Sequence, residues 1–170
     1  MKRNQAGVGL VEVLVALVIL AIAILGFVAL QVRALSSSQE ASLNVQAMTL
    51  ARDLSERIRM NREGLNDYEA VASPPTQCAT EFCTPAQMAQ YDFNQVRLKA
   101  QRVAMAIDIV DCEMGHSSAA KRKCIYVAWG DTEPTAESAA ASEPSNTACT
   151  IGTAYRPGAQ CVIMETYNYE

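Results

Sequence analysis

Residues 7–32 read GVGLVEVLVALVILAIAILGFVALQV, and the fold turns on how this stretch is interpreted. From Val13 to Leu30 no side chain is charged or strongly polar, a run of 18 residues. At helical rise this makes about 27 Å, close to the thickness of a bilayer's hydrocarbon core. A membrane span is the first reading. Glu12 stands immediately before the run. A carboxylate in lipid costs a few kcal/mol, so it needs either a partner or a place at the membrane surface.

The remainder of the chain is a small, aromatic-poor domain. The chain has 170 residues, 6% of them aromatic, and much of its apolar content is spent on the N-terminal run. One modest domain follows, and its core needs covalent help. Cys78, Cys83, Cys112, Cys124, Cys149 and Cys161 are the candidates for that help, and all six lie beyond the apolar run. An even number on one side of a span suggests disulfides in an oxidising compartment. Fifteen connectivities are open; the expectation adopted is the sequence-local set, 78–83, 112–124 and 149–161. Zinc is the competing reading, but the sequence has no C-x-x-C, and its single His116 completes no familiar ligand spacing.

Orientation follows from charge. Lys2 and Arg3 precede the run, whereas Arg33 and then the neutral Ser36-Ser37-Ser38 follow it. The positive-inside rule puts the N-terminus in the cytoplasm and the cysteine-bearing domain outside. Ala21-Ile22-Ala23 has the small-x-small form of a signal-peptide cleavage site. However, Ile24-Leu25-Gly26-Phe27-Val28 carries the apolar run past it, so an anchor helix is the better reading.

The helix is expected to continue. From Arg33 to Arg62 there is no Pro or Gly, and Leu43, Ala47, Leu50, Ala51, Leu54 and Ile58 form one stripe in steps of three and four. Arg52, Asp53, Glu56, Arg57 and Arg59 fall on the other faces, and Gly64 is the expected stop. Residues 8–62 would make roughly 80 Å of helix. Thr84-Pro85 then reads as an N-cap followed by proline at the first helical position, opening a helix to about Gln101 with Met88, Tyr91 and Val96 inward. Val103, Met105, Ile107 and Ile109 alternate as a strand, Ile125–Trp129 is a second and Cys161–Tyr167 a third. Lys121-Arg122-Lys123 is expected at a charged hairpin tip, and Asp131–Thr147 as a low-complexity loop. The fold class is therefore α+β, a long N-terminal helix packed on a small antiparallel meander.

Gly7-Val8-Gly9-Leu10-Val11-Glu12, between the short basic leader MKRNQA and a long apolar helix, resembles the processing site of type IV prepilins. The resemblance implies cleavage after Gly7 by a prepilin peptidase and N-methylation of the new first residue, Val8. Glu12 then matches the family's glutamate five residues into the mature chain. Val8 and Gly9 depart from the family's usual Phe and Thr or Ser. After cleavage a positive amine sits in an apolar setting, and Glu12 can neutralise its own amine or that of a neighbouring subunit. The competing reading leaves Glu12 among the headgroups.

The stretches EVLVALVIL, LARDLSERIRMNREG and TPAQMAQYDFNQV, with a late strand ending in Trp, narrow the resemblance to PilV-like minor pilins. It implies four segments: leader 1–7, membrane and filament-core helix 8–32, amphipathic helix 33–62 and globular domain 63–170. It also implies partners, namely other minor and major pilins, the prepilin peptidase, an inner-membrane assembly platform and a tip adhesin. The location implied is the bacterial inner membrane before assembly and the pilus afterwards, with functions in twitching motility, adhesion or DNA uptake.

No catalytic residue, cofactor or metal site is expected. H-E-x-x-H, G-x-S-x-G and a phosphate-cradling glycine loop are all missing from the sequence. His116 beside Ser117 is read as a solvated loop histidine, and Asp108, Asp111 and Glu113 lack the spacing of a calcium loop. Without Lys2 and Arg3 the chain keeps 12 basic against 18 acidic residues, which argues against a nucleic-acid surface. Two other classes compete with the minor pilin: a type II secretion pseudopilin and a membrane-anchored binding module.

Overall fold

The computed structural model describes residues 7, 9–75, 77–112, 121–138 and 145–168. Helix α1 runs Leu10–Met60 and α2 Pro85–Arg102, with a 3-10 turn at Arg62–Asp67 between them. Six strands follow: β1 Met105–Asp111, β2 Lys121–Trp129, β3 Glu133–Glu137, β4 Ala148–Ile151, β5 Ala154–Tyr155 and β6 Cys161–Asn168. The chain divides into two compact units, residues 1–42 and 43–170, with the boundary inside α1.

The first unit is the N-terminal part of α1. Its most apolar 18-residue window has a mean hydropathy of 3.3 and buries nothing within the chain. It is long and apolar enough to cross a bilayer.

In the second unit the expected stripe faces inward. Ala47, Leu50, Ala51, Leu54 and Ile58 are buried, with Leu43 packed at their edge. Charges at Arg52, Glu56 and Arg59 stay exposed. The helix stops at Met60, two residues before the expected end. Asn61 Nδ2 donates to the Pro85 carbonyl at 2.8 Å, which ties this end of α1 to the start of α2. Gly64 lies within the 3-10 turn. A Cβ there would come within 2.5 Å of the Pro85 carbonyl oxygen, so the close approach requires glycine.

Helix α2 begins where Thr84-Pro85 predicts. The Thr84 hydroxyl accepts from Gln87 N at 3.3 Å, and the Gln87 side chain accepts from Thr84 N at 3.0 Å, a reciprocal capping box. Its inner face differs from the expectation. Ala89, Phe93, Val96 and Ala100 are buried, whereas Met88 and Tyr91 are only half-buried. The reading of Val103 as a strand residue is also corrected. Val103 caps α2, donating to Ala100 O at 3.0 Å, and Ala104 turns the chain at φ 55° so that the strand starts at Met105.

The three expected strands are β1, β2 and β6, in an antiparallel sheet of order β1-β2-β6. Ile107 pairs with Val127, and Val127 with Val162. Alternation sends Ile107, Ile125, Val127, Trp129 and Val162 into the core beneath α1 and α2. Phe93, Leu54, Ile125 and Val127 are its largest fully buried members, together with Val96.

A second layer lies on the sheet's other face, and the sequence reading did not foresee it. β3 pairs parallel with β4, and β4 antiparallel with β5. β3 falls inside the segment expected to be a loop; residues 139–144 of that segment lie outside the described residues. Cys124, Tyr126, Ala128, Cys149 and Cys161 make a second small core on this face. The Lys121–Lys123 run is not a hairpin tip. It opens β2, where alternation sends Arg122 toward Glu165 on β6 at 3.6 Å and Lys123 toward Asp111 at 2.7 Å.

Candidate assembly site

Gly7 is exposed, and a Cβ on it would touch nothing within 4 Å. Val8 lies outside the described residues. Gly9 O accepts from Glu12 N at 3.0 Å and from Val13 N at 3.3 Å, which starts α1 and puts Glu12 in its first turn. There a carboxylate meets the positive end of the helix dipole. Every large apolar residue from Leu10 to Leu35 is exposed, from 47% at Val28 to 77% at Leu10. Such a surface has to be covered by lipid or by other helices.

The six cysteines form three disulfides: Cys78–Cys83, Cys112–Cys124 and Cys149–Cys161. The first closes the loop before α2. The second links the end of β1 to β2, and the third joins the β3–β5 layer to β6.

Asp108 and Asp111 have structural partners. The Asp108 carboxylate accepts from Ile109 N at 2.8 Å, and burial pushes its pKa up. Asp111 binds Lys123 and projects to the opposite face from Asp108, while Glu113 and His116 lie outside the described residues. No cluster of three His, Cys, Asp or Glu suited to a metal occurs among the described residues. Sequence reading missed the network around Arg57. Arg57 Nη1 donates to Asp92, its Nε to Asp53 at 2.9 Å, and Lys99 donates to the same Asp53 at 2.7 Å. Tyr68 Oη donates to the Arg57 carbonyl at 3.0 Å, and burial pushes the phenol up to about 12. The i, i+4 spacing of Asp53 and Arg57 was the available signal.

A long N-terminal helix, apolar and then amphipathic, backing a small antiparallel sheet, is the α+β fold of a pilin. The family described as type IV pilin Tt1218 matches residues 29–94, and the prokaryotic N-terminal methylation motif matches residues 2–28. Together the two matches, over residues 2–94, support a type IV pilin, a family of structural proteins. No curated protein and no solved structure matches it. The methylation motif spans Gly7, Val8 and Glu12, and it implies processing by the prepilin peptidase and assembly with other pilins.

Proposed function

We propose that this protein is a PilV-like minor pilin that helps to prime assembly of a type IV pilus and is incorporated at or near its tip. In this reading the peptidase cuts between Gly7 and Val8 and methylates Val8. Residues 8–32 then form the membrane and filament-core helix, residues 33–62 its amphipathic continuation and residues 63–170 the globular domain. Before assembly the N-terminus is cytoplasmic and the disulfide-bonded domain periplasmic. Afterwards the subunit is in the filament, supporting twitching motility, adhesion or DNA uptake. Its partners are other minor and major pilins, the assembly platform and a tip adhesin.

The observation that carries this reading is the exposed apolar first part of α1, with Glu12 in its N-terminal turn. Packing that surface against other pilin helices removes it from water and lipid alike. Glu12 can then neutralise an amine that would otherwise be buried alone. The test is to express the full chain with a prepilin peptidase in a piliated host and to measure the N-terminus and the copy number in sheared pili. A methylated Val8 terminus, present in far fewer copies than the major pilin and labelled at filament ends, is the expected result. Retention of Met1, or a cut after Ala23, overturns the pilin processing; stoichiometric labelling along the shaft overturns the minor, tip-located role.

A further inference from the structure

The chain has three phenylalanines, with very different surroundings. Phe27 lies in the apolar part of α1 and Phe93 is wholly buried, but Phe82 stands clear of the surface at a relative exposure of 109%. Its loop is nonetheless fixed. The Cys78–Cys83 disulfide closes behind it, with Cys78 buried, and the Thr84–Gln87 capping box holds the chain directly after it. A rigidly presented aromatic loses little entropy on binding, which is the character of an interface anchor. Glu81 precedes it, and Glu63 is exposed on the 3-10 turn that packs against Pro85. Phe82 is thus an exposed apolar knob next to an exposed carboxylate, Glu81.

At the other end of α2, about 27 Å along its axis, lies an open groove of about 430 Å³. Val45, Leu50 and Val103 line it, with Thr49 and Lys99. Val45 is 66% and Val103 41% exposed, although the neighbouring surface of α1 is polar. Lys99, in the last turn of α2, gives this groove a basic side. Lys99 gives one bond to Asp53 and keeps further N–H groups for another acceptor.

We propose that Phe82 of one copy inserts into the Val45–Leu50–Val103 groove of a second copy of this chain, with Glu81 meeting Lys99. Knob and groove match in polarity and in charge. Lying at opposite ends of one helix, they form a heterologous contact, in which each copy offers a different surface to its neighbour. This goes beyond the minor-pilin reading, since it concerns contact between copies wherever they stand in a filament or membrane.

The test places a benzophenone amino acid at position 82 of the full chain, expressed with the prepilin peptidase and irradiated in membranes. The expected adduct has twice the chain mass, and its cross-linked peptide contains Val45–Leu50 or Leu98–Val103. Lys99→Glu should lower the yield several-fold, and adding Glu81→Lys to that variant should restore it, which separates a lost contact from a lost fold. An adduct to another pilin, to lipid or to any other part of a second copy overturns the proposal, as does no adduct. N-terminal processing read on the same samples keeps this outcome distinct from that of the minor-pilin reading.

Discussion

Arg57 on α1 donates at once to Asp92 on α2 and to Asp53 one turn earlier on its own helix. Asp92 is 8% exposed, so this contact between the helices is largely shielded from water. Burial alone would lower the Arg57 pKa, but bonds to Asp53 and Asp92 outweigh it and hold the charged form. Asp92→Ala should destabilise the domain by about 2 kcal/mol, because a part-buried cation loses its cross-helix acceptor. Asp53→Ala should cost less, since that carboxylate is 30% exposed. Thermal unfolding followed by the near-ultraviolet signal of Trp129 measures both. Equal losses would show that the cross-helix bond carries no special weight.

Two carboxyl groups should give the domain opposite pH signatures. At Asp53 burial acts to raise the pKa, but donation from Lys99 and Arg57 prevails and holds it below the ordinary value. Its stabilisation is present above the unfolded pKa of about 3.9 and is lost as pH falls through the lower folded value. At Asp108 burial prevails over the bond from Ile109 N and raises the pKa. Its contribution is complete below the unfolded value and is lost as pH rises through the higher folded one. Asp108→Asn should therefore stabilise the domain at neutral pH, by no more than about 1 kcal/mol given its partial solvation, and should leave stability near pH 3 unchanged. Melting curves across pH 3–7 decide; a loss at neutral pH would mean the charge is compensated.

The disulfides should differ in weight. Cys149 is 0% and Cys161 9% exposed, and together they anchor the second layer. Replacing both with Ala should cost roughly 3 kcal/mol and expose amide protons of β3–β5 first. Replacing Cys78 and Cys83, which close a shorter loop, should cost roughly 2 kcal/mol, with exchange rising only before α2. Hydrogen exchange with mass spectrometry separates the two. Alkylation of unreduced protein at several cysteines would contradict all three bridges.

Thr84→Ala should remove about 1 kcal/mol by ending the capping box, seen as fraying at the N-terminal turn of α2. Unchanged exchange at Gln87 N–H would show that Pro85 suffices to start the helix.

Glu12→Ala should leave the cut after Gly7 intact yet reduce recovery in pili by at least roughly tenfold, since an unpaired buried charge costs about 3–5 kcal/mol. Normal recovery of the variant would make the carboxylate dispensable.

The sequence makes some of this fold plain and hides the rest, for physical reasons. The stripe from Leu43 to Ile58 is legible because it has one uninterrupted helical period and one core to face. β1, β2 and β6 are legible because their inner residues are large and branched. β3–β5 escape because Glu133–Glu137 and Ala148–Ile151 are short and small-residued, and they are held by Cys149–Cys161 and by the Tyr126–Thr150 contact at 3.3 Å rather than by a periodic apolar face. Phe93 escapes because Tyr91 and Met88 compete for the inner side on spacing alone. Gly7 and Glu12, the residues of the proposed processing site, are singled out by their place beside an apolar run, a signal that needs no tertiary context.

The three bridges join the six cysteines in consecutive pairs along the chain. A domain that emerges in chain order therefore presents its thiols in the order in which they are to be joined. A simple oxidase acting on the newest pair would leave the correct set, with no mispaired species for an isomerase to correct.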